Sequence, residues 1–109
     1  MLLNHVGTVH ASAQFALAEA SSGEFLLRHL GELQGHVFAV LRKSEVKFRK
    51  PAKGTLRTVA RFGGANGDSL SAELTSRGRA FASVLVEIAD LDGVVTMTGE
   101  YDWFLECRT

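Results

Sequence analysis

The chain has 109 residues, of which 46% are hydrophobic and 22% charged, and its 12 basic and 12 acidic residues cancel. This length fits one domain that buries roughly two-thirds of its unfolded surface, so we assign residues 1–109 to a single domain. The charge balance argues against a nucleic-acid or anionic-membrane partner, and the single cysteine, Cys107, excludes an internal disulfide. The first residues show no signal peptide, and no apolar run reaches the ~18 residues of a membrane span, so we expect a cytoplasmic protein.

Residues 4–30 predict a loop that leads into one long helix. The hydroxyl of Thr8 can accept a hydrogen bond from a backbone N–H one turn later, which makes Thr8 a candidate N-cap. Gly31 and Gly35 mark the end of the helix. About 21 residues at ~1.5 Å each give a length on the order of 30 Å, the width of a small domain. We therefore expect the rest of the chain to wrap this helix.

The two sides of the predicted helix differ in polarity. One polar stripe consists of Gln14, Ser21, Glu24 and Arg28. The opposite side carries Phe15, Ala16, Gly23, Leu26 and Leu30. Glu24 precedes Arg28 by one helical turn, which is the favourable order for an ion pair.

Glu19 departs from this pattern, because it lies on the apolar side of the helix. A carboxylate on a buried face costs several kcal/mol unless it is paired or protonated. Two interpretations stay open at this point. Glu19 is either a structural residue held by a salt bridge or hydrogen bond, or a catalytic acid or base.

The next part of the chain predicts two strands. Residues 37–50 are rich in β-branched and aromatic side chains and predict a long strand, bent near Arg42 and Lys43. Strand alternation puts four apolar residues on one side of it, interrupted by Arg42 and Ser44: Phe38, Val40, Val46 and Phe48. Pro51 ends this strand, and residues 51–54 predict a turn. Residues 56–62 predict the second strand, with Leu56, Ala60 and Phe62 on one face and Arg57 and Arg61 on the other.

A loop, a short helix and a hairpin follow. Residues 63–67 predict the loop, and Asp68 can cap a helix over 69–77 that Gly78 ends. Residues 79–90 predict a third strand with an inner face of Ala80, Ala82, Val84, Val86 and Ile88. Residues 91–93 predict a hairpin turn in which Gly93 supplies the positive φ. The last strand covers 94–106, and one face carries Val95, Met97, Gly99, Tyr101, Trp103 and Leu105.

This order of elements predicts an α+β domain in which one long helix lies against an antiparallel sheet. One helix covers only one face of such a sheet and leaves its edge strands open. A dimer that pairs two edge strands would satisfy their unpaired backbone N–H and C=O groups.

The start of the chain resembles the signature of the hotdog-fold acyl-CoA thioesterases. The matching residues are Asn4, Gly7, His10-Ala11 and then Leu17-Ala18-Glu19 on the helix. The subgroup it resembles includes the phenylacetate-pathway thioesterase, the 4-hydroxybenzoyl-CoA thioesterase of Arthrobacter type and small hotdog proteins. The turn after Phe48 and the Asp92-Gly93 hairpin also resemble later parts of those proteins, so the likeness covers nearly the whole chain.

The resemblance implies three catalytic residues. Asn4 matches the residue that binds the attacking water or the thioester, and Glu19 matches the helix carboxylate that acts as nucleophile or general base. Ala11 matches the residue whose backbone N–H polarises the thioester carbonyl. An N–H in the first helical turn suits that role, since it lacks an intrahelical partner and the helix dipole favours a developing oxyanion.

The resemblance also implies a binding site and a partner. Gly7 and His10 would shape the pocket, Ser44 is the nearest match to a polar residue from the strand after the helix, and Lys50 and Lys53 could meet phosphates of coenzyme A. Coenzyme A enters as part of the substrate, and no cofactor or metal is expected. In this group one site takes its Asn and its carboxylate from different subunits, which implies a homodimer or a dimer of dimers.

Two departures from the family pattern keep an alternative open. Ala11-Ser12 replaces the usual Gly-Gly, and only three residues precede Asn4, so the usual first strand is expected to be missing and the sheet to have four strands. The alternative is a non-catalytic hotdog module that binds acyl thioesters or dimerises. His5, fourteen residues before Glu19, resembles the His of hotdog dehydratases, but the prolines that accompany that His are absent.

Overall fold

The protein is described by a computed structural model that covers residues 8–9, 11–63 and 69–108. Its elements are β1 (Thr8–Val9), α1 (Ala11–Leu30), a 3₁₀ helix (Gly31–His36), β2 (Val37–Phe48), β3 (Ala52–Lys53), β4 (Leu56–Phe62), α2 (Leu70–Arg77), β5 (Arg79–Asp90) and β6 (Val95–Cys107). The predicted strands and both predicted helices are confirmed to within a few residues. The loop at 64–67 and the capping role of Asp68 lie outside the described residues.

The large strands form one antiparallel sheet in the order β2-β6-β5-β4. The predicted four-stranded sheet of an α+β hotdog fold is therefore confirmed. A separate two-stranded pairing joins β1 to β3, with Thr8 opposite Lys53 and Val9 opposite Ala52. A two-residue strand thus directly precedes the helix, while the position of the first strand that was expected to be missing, before Asn4, lies outside the described residues.

Helix α1 packs mainly on β4 and β5 and leaves β2 largely uncovered. The core lies between them and includes Leu26, Leu30, Val84, Val86, Ile88, Met97, Tyr101 and Leu105. The inner face predicted for β5 is confirmed, since every second residue from Ala80 to Ile88 is buried. Within the described residues, no helix is both long enough and apolar enough to cross a bilayer.

The backbone at Thr8 contradicts the prediction that this residue caps α1. Thr8 is extended and paired with Lys53, and the helix begins three residues later at Ala11. Strand pairing of the entering segment therefore sets the start of the helix. The end was predicted correctly, because Gly31 has φ 55° and stops α1 after Leu30.

Gln14, on the predicted polar stripe, is buried in the structure. It is 3% exposed and accepts a hydrogen bond of 2.7 Å from the buried hydroxyl of Thr96. The rest of the stripe is confirmed, since Arg28 and Glu24 form an exposed ion pair of 2.6 Å. The polar partner on β6, which local periodicity does not reveal, explains why a glutamine is buried here.

The bend predicted near Arg42 is confirmed, but it changes the faces of β2. The register with β6 shifts between Leu41 and Lys43. Phe38 pairs with Glu106 on the side away from α1, whereas Val46 pairs with Gly99 on the helix side. The prediction that Phe38, Val40, Val46 and Phe48 share one side is therefore wrong, because one extra residue at a bulge inverts the alternation.

Candidate active site

The first three turns of α1 carry two of the three predicted catalytic residues. Ala11 is the first residue of the helix, so its N–H belongs to the group that has no intrahelical partner. Glu19 follows eight residues later, about 12 Å along the helix axis. The β1–β3 pairing holds the segment that enters the helix against the turn after β2.

Glu19 lies on the stripe of α1 that faces β6. Its neighbours one turn away on either side are Phe15, whose ring centroid is 5.6 Å from that of Tyr101, and Gly23, where an added Cβ would be 3.5 Å from the ring of Trp103. Glu19 itself is half-buried. Among the described residues no cation forms an ion pair with it; the ion pairs found there join Glu24 to Arg28 and Lys43 to Glu45.

Tyr101 is a residue of this site that the sequence analysis placed only in the core. Its side chain is fully buried, and its hydroxyl donates to the backbone O of Phe15 at 3.3 Å. In a regular helix the same carbonyl accepts the N–H of Glu19, so Tyr101 braces the turn that carries the carboxylate. Burial, and to a smaller extent the charge of Glu19, raise the pKa of Tyr101 to about 12.

A signal for Tyr101 was present in the sequence at Gly99, two residues earlier on the same face of β6. A Cβ added at Gly99 would be 2.8 Å from Cε2 of Tyr101 and 3.2 Å from Cγ1 of Val46. The glycine therefore makes room for the tyrosine ring. The sequence analysis noted that Gly99 permits a close approach but could not identify the side chain that uses it.

Two more hydrogen bonds fix α1 on β6. The indole N–H of Trp103 donates to Oγ of the buried Ser22 at 3.1 Å, and the Ser22 hydroxyl donates to the backbone O of Glu19 at 2.8 Å. Nearer the start of the helix, the Gln14–Thr96 pair makes a similar connection. The Trp103–Ser22 and Thr96–Gln14 hydrogen bonds each join a helix turn to β6. The Ser22–Glu19 hydrogen bond lies within the helix and connects the Glu19 carbonyl to the first of them.

Ser44 and the basic turn occupy different parts of this neighbourhood. Ser44 is half-buried on β2 and is the strand partner of Tyr101, which puts it on the same side of the sheet as Tyr101 and α1. Lys50 is exposed after β2, and its N–H donates to the backbone O of Thr96 at 3.3 Å. Lys53 lies opposite Thr8 in the β1–β3 pairing.

The remaining predicted site residues, Asn4, Gly7 and His10, lie outside the described residues, as does His5. Over the part of the chain that the structure does describe, no group of three or more His, Cys, Asp or Glu side chains could hold a metal ion. The structure therefore puts Tyr101 beneath the helix turn that leads to Glu19, with Ser44 as the strand partner of Tyr101. Ala11 lies about 12 Å away at the start of the same helix, and the Lys50–Lys53 turn lies beside the segment that enters α1.

Comparison with known proteins agrees with this architecture. A Pseudomonas aeruginosa protein of unknown function, described as a probable thioesterase, is 27% identical, with a TM-score of 0.78 over 98% of this chain and 70% of that one. A Bacillus halodurans protein solved with CoA is 21% identical, with a TM-score of 0.72 over 95% of this chain and 60% of that one. A hypothetical thioesterase protein from Streptococcus pneumoniae, solved with coenzyme A, is 18% identical, with a TM-score of 0.69 over 99% of this chain and 73% of that one.

No curated protein matches the chain significantly. The model of one family, DUF4442, described as a domain of unknown function, matches residues 1–105. That match covers nearly the whole sequence, and the solved structures supply the fold. The chain belongs to the DUF4442 family and has the hotdog fold of the thioesterase superfamily.

Proposed function

We propose that this protein is a thioester hydrolase that cleaves an acyl-CoA. The observation that carries the proposal is the position of Glu19, half-buried on α1 eight residues after an Ala11 N–H that begins the helix. These groups are an acid–base residue and an oxyanion donor, which are the two elements that hydrolysis of a thioester needs. The coenzyme A in two structures of the same fold supports the choice of substrate class.

In the proposed reaction, Asn4 positions a water molecule and Glu19 removes its proton as the water attacks the thioester carbonyl. The oxyanion that develops on the carbonyl oxygen accepts a hydrogen bond from the Ala11 N–H. Because Ala11 and Glu19 of one chain are about 12 Å apart along the helix, this Ala11 belongs to the subunit that does not supply the Glu19 of the site. Collapse of that intermediate breaks the C–S bond, and the coenzyme A thiolate leaves and takes up a proton. In the second route, Glu19 attacks the carbonyl itself, and water hydrolyses the resulting anhydride.

We further propose that the working unit is a homodimer that pairs the β2 edges. Strand β2 runs for 12 residues at one edge of the sheet. Because α1 lies over β4 and β5, the helix side of β2 is only half covered, and Leu41, Ser44 and Val46 remain partly exposed there. A second subunit at this edge would extend the sheet and bring its own helix close to Glu19 and Ser44, as a site shared between subunits requires.

The test is hydrolysis of a panel of short, long and aromatic acyl-CoAs, followed through the released thiol. Glu19→Gln keeps the size and hydrogen-bonding capacity of the side chain but removes the base and nucleophile. Glu24→Gln is a matched control, because it is the same substitution on the same helix at an exposed ion pair. We expect Glu24→Gln to retain the wild-type rate and Glu19→Gln to lose at least two orders of magnitude in kcat.

The two possible outcomes separate the hydrolase from the non-catalytic alternative. If the wild type turns over a substrate and only Glu19→Gln fails, with unchanged folding and mass, the hydrolase is supported and the panel identifies the acyl group. If the wild type binds coenzyme A esters without turnover, and Glu19→Gln is at least as stable, the hydrolase is wrong. The replacement of the usual Gly-Gly by Ala11-Ser12 then becomes the mark of a binding module.

A further inference from the structure

Two side chains that have no part in the proposed reaction, Ser22 and Trp103, form a chain of hydrogen bonds to the peptide group of Glu19. The indole N–H of Trp103 donates to Oγ of Ser22 at 3.1 Å, and the Ser22 hydroxyl donates to the Glu19 carbonyl at 2.8 Å. Ser22 is completely buried, so water does not reach its hydroxyl and compete for these bonds. We call the two hydrogen bonds the Trp103–Ser22 relay.

The Trp103–Ser22 relay can run in only one direction. An indole N–H is a donor and the ring offers no acceptor, so Trp103 can only donate to the Ser22 oxygen. The single hydroxyl proton of Ser22 then goes to the Glu19 carbonyl, which in a regular helix also accepts the N–H of Gly23. Removal of the indole N–H therefore leaves the second hydrogen bond in place, whereas removal of the Ser22 hydroxyl breaks both.

Helix stability alone does not explain a serine at position 22. Alanine forms a helix more readily than serine, and a buried hydroxyl is costly unless it is hydrogen-bonded. The preceding residue, Ser21, donates to Oγ1 of Thr58 at 2.9 Å and so ties α1 to β4, which lies two strands away from β6. The two neighbouring serines therefore connect the helix to the sheet in comparable ways, and the Ser22 connection is the one that includes the Glu19 carbonyl.

Small rotations of α1 about its axis move the Glu19 carboxylate by distances that matter for catalysis. The end of a side chain about 6 Å from the helix axis moves by about 1 Å when the helix rotates by ~10°. Misplacement of a reacting group by about 1 Å can cost on the order of 100-fold in rate. Tyr101 holds the Phe15 carbonyl one turn before the carbonyl that the relay holds, and two attachments one turn apart restrain rotation more than either does alone.

We propose that Ser22 and Trp103 are positioning residues, which set the orientation of the Glu19 carboxylate toward the half-covered helix side of β2. Trp103 lies next to that side, because its strand partner on β2 is the partly exposed Leu41. Neither residue touches the reacting atoms, and both act through the backbone of Glu19. The effect on catalysis rests on the proposed thioester hydrolysis, whereas the orientation of the carboxylate can be measured without it.

Steady-state kinetics with the acyl-CoA that the wild type hydrolyses fastest tests the effect on catalysis. We expect Ser22→Ala to lower kcat about tenfold or more with KM within about twofold of wild type, and Trp103→Phe to lower kcat less. The double variant should be no slower than Ser22→Ala, because the two changes break one relay. Ser21→Ala, the same substitution at the neighbouring helix-to-sheet hydrogen bond, should keep the wild-type kcat. An unchanged kcat in Ser22→Ala, a change in KM alone, or equal losses in the two serine variants would overturn the positioning role.

Carbon-13 NMR of the Glu19 carboxyl group tests the orientation of the carboxylate without turnover. In protein labelled at its glutamate carboxyl carbons, the Glu19 signal is the one that Glu19→Gln removes. We expect Ser22→Ala and Trp103→Phe to shift this signal and Ser21→Ala to leave it in place, in samples whose circular dichroism matches the wild type. A signal that neither relay variant shifts would refute the proposal, whatever the activity. A wild type that hydrolyses no acyl-CoA while the signal shifts as expected would instead refute the proposed function and leave the relay standing.

Discussion

Gly99→Ala should destabilise the protein through a single added methyl group. The new Cβ would be 2.8 Å from Cε2 of Tyr101 and 3.2 Å from Cγ1 of Val46. Ordinary carbon contacts are about 3.5–4.0 Å, so the Tyr101 ring would have to move by roughly 0.7 Å or more. The ring is fully buried and packs against Phe15, so it cannot move alone. Overpacking of this kind costs about 1–3 kcal/mol.

The assay is thermal and urea unfolding, with Gly35→Ala as the matched control. Gly35 has a negative φ, and nothing lies within 4 Å of an added Cβ, so the control should be neutral or slightly stabilising. At about 4 °C per kcal/mol for a domain of this size, Gly99→Ala should lower Tm by about 4–12 °C. Equal unfolding midpoints for Gly99→Ala and wild type would refute the account of the Gly99–Tyr101 contact.

Two further predictions concern buried polar groups. The pKa of Tyr101 is raised to about 12, so its neutral form is favoured by folding, and this stability is present below pH ~10 and lost as the pH rises toward 12. After allowance for solvent screening, we expect ionisation of Tyr101 to lower the free energy of unfolding by about 1–2 kcal/mol. Tyr101→Phe should abolish this alkaline loss in urea unfolding measured from pH 8 to 11.5. A pH dependence that the substitution leaves unchanged would contradict the prediction. Thr96→Val keeps the shape of the side chain but leaves buried Gln14 without its hydrogen-bond donor, and should lower the free energy of unfolding in urea by about 1–3 kcal/mol. Thr96→Ser keeps the hydroxyl and should cost less. Equal losses for the two variants would show that the hydroxyl is not responsible.

The position of the candidate site could be predicted only in part. The spacing of Ala11 and Glu19 along one helix follows from the sequence, because helix geometry is local. Their surroundings do not follow, because Tyr101 reaches Phe15 across 86 residues of chain and Thr96 reaches Gln14 across 82. The surroundings of the Glu19 carboxylate therefore depend on which strand packs beneath α1, and the local sequence does not determine that strand.

What the sequence determined by itself was the two α-helices, the four long strands and the inner face of β5. The alternation of buried and exposed residues on β5 and the length of α1 follow from local periodicity. The positive φ of Gly78 and Gly93 follows from the chemistry of a helix end and a turn. Tertiary structure decided the strand order β2-β6-β5-β4, the burial of Gln14, and the outward turn of Phe38 through the bulge at Arg42. These depend on pairing between distant segments, where one residue of register inverts a face, and local pattern does not fix that register.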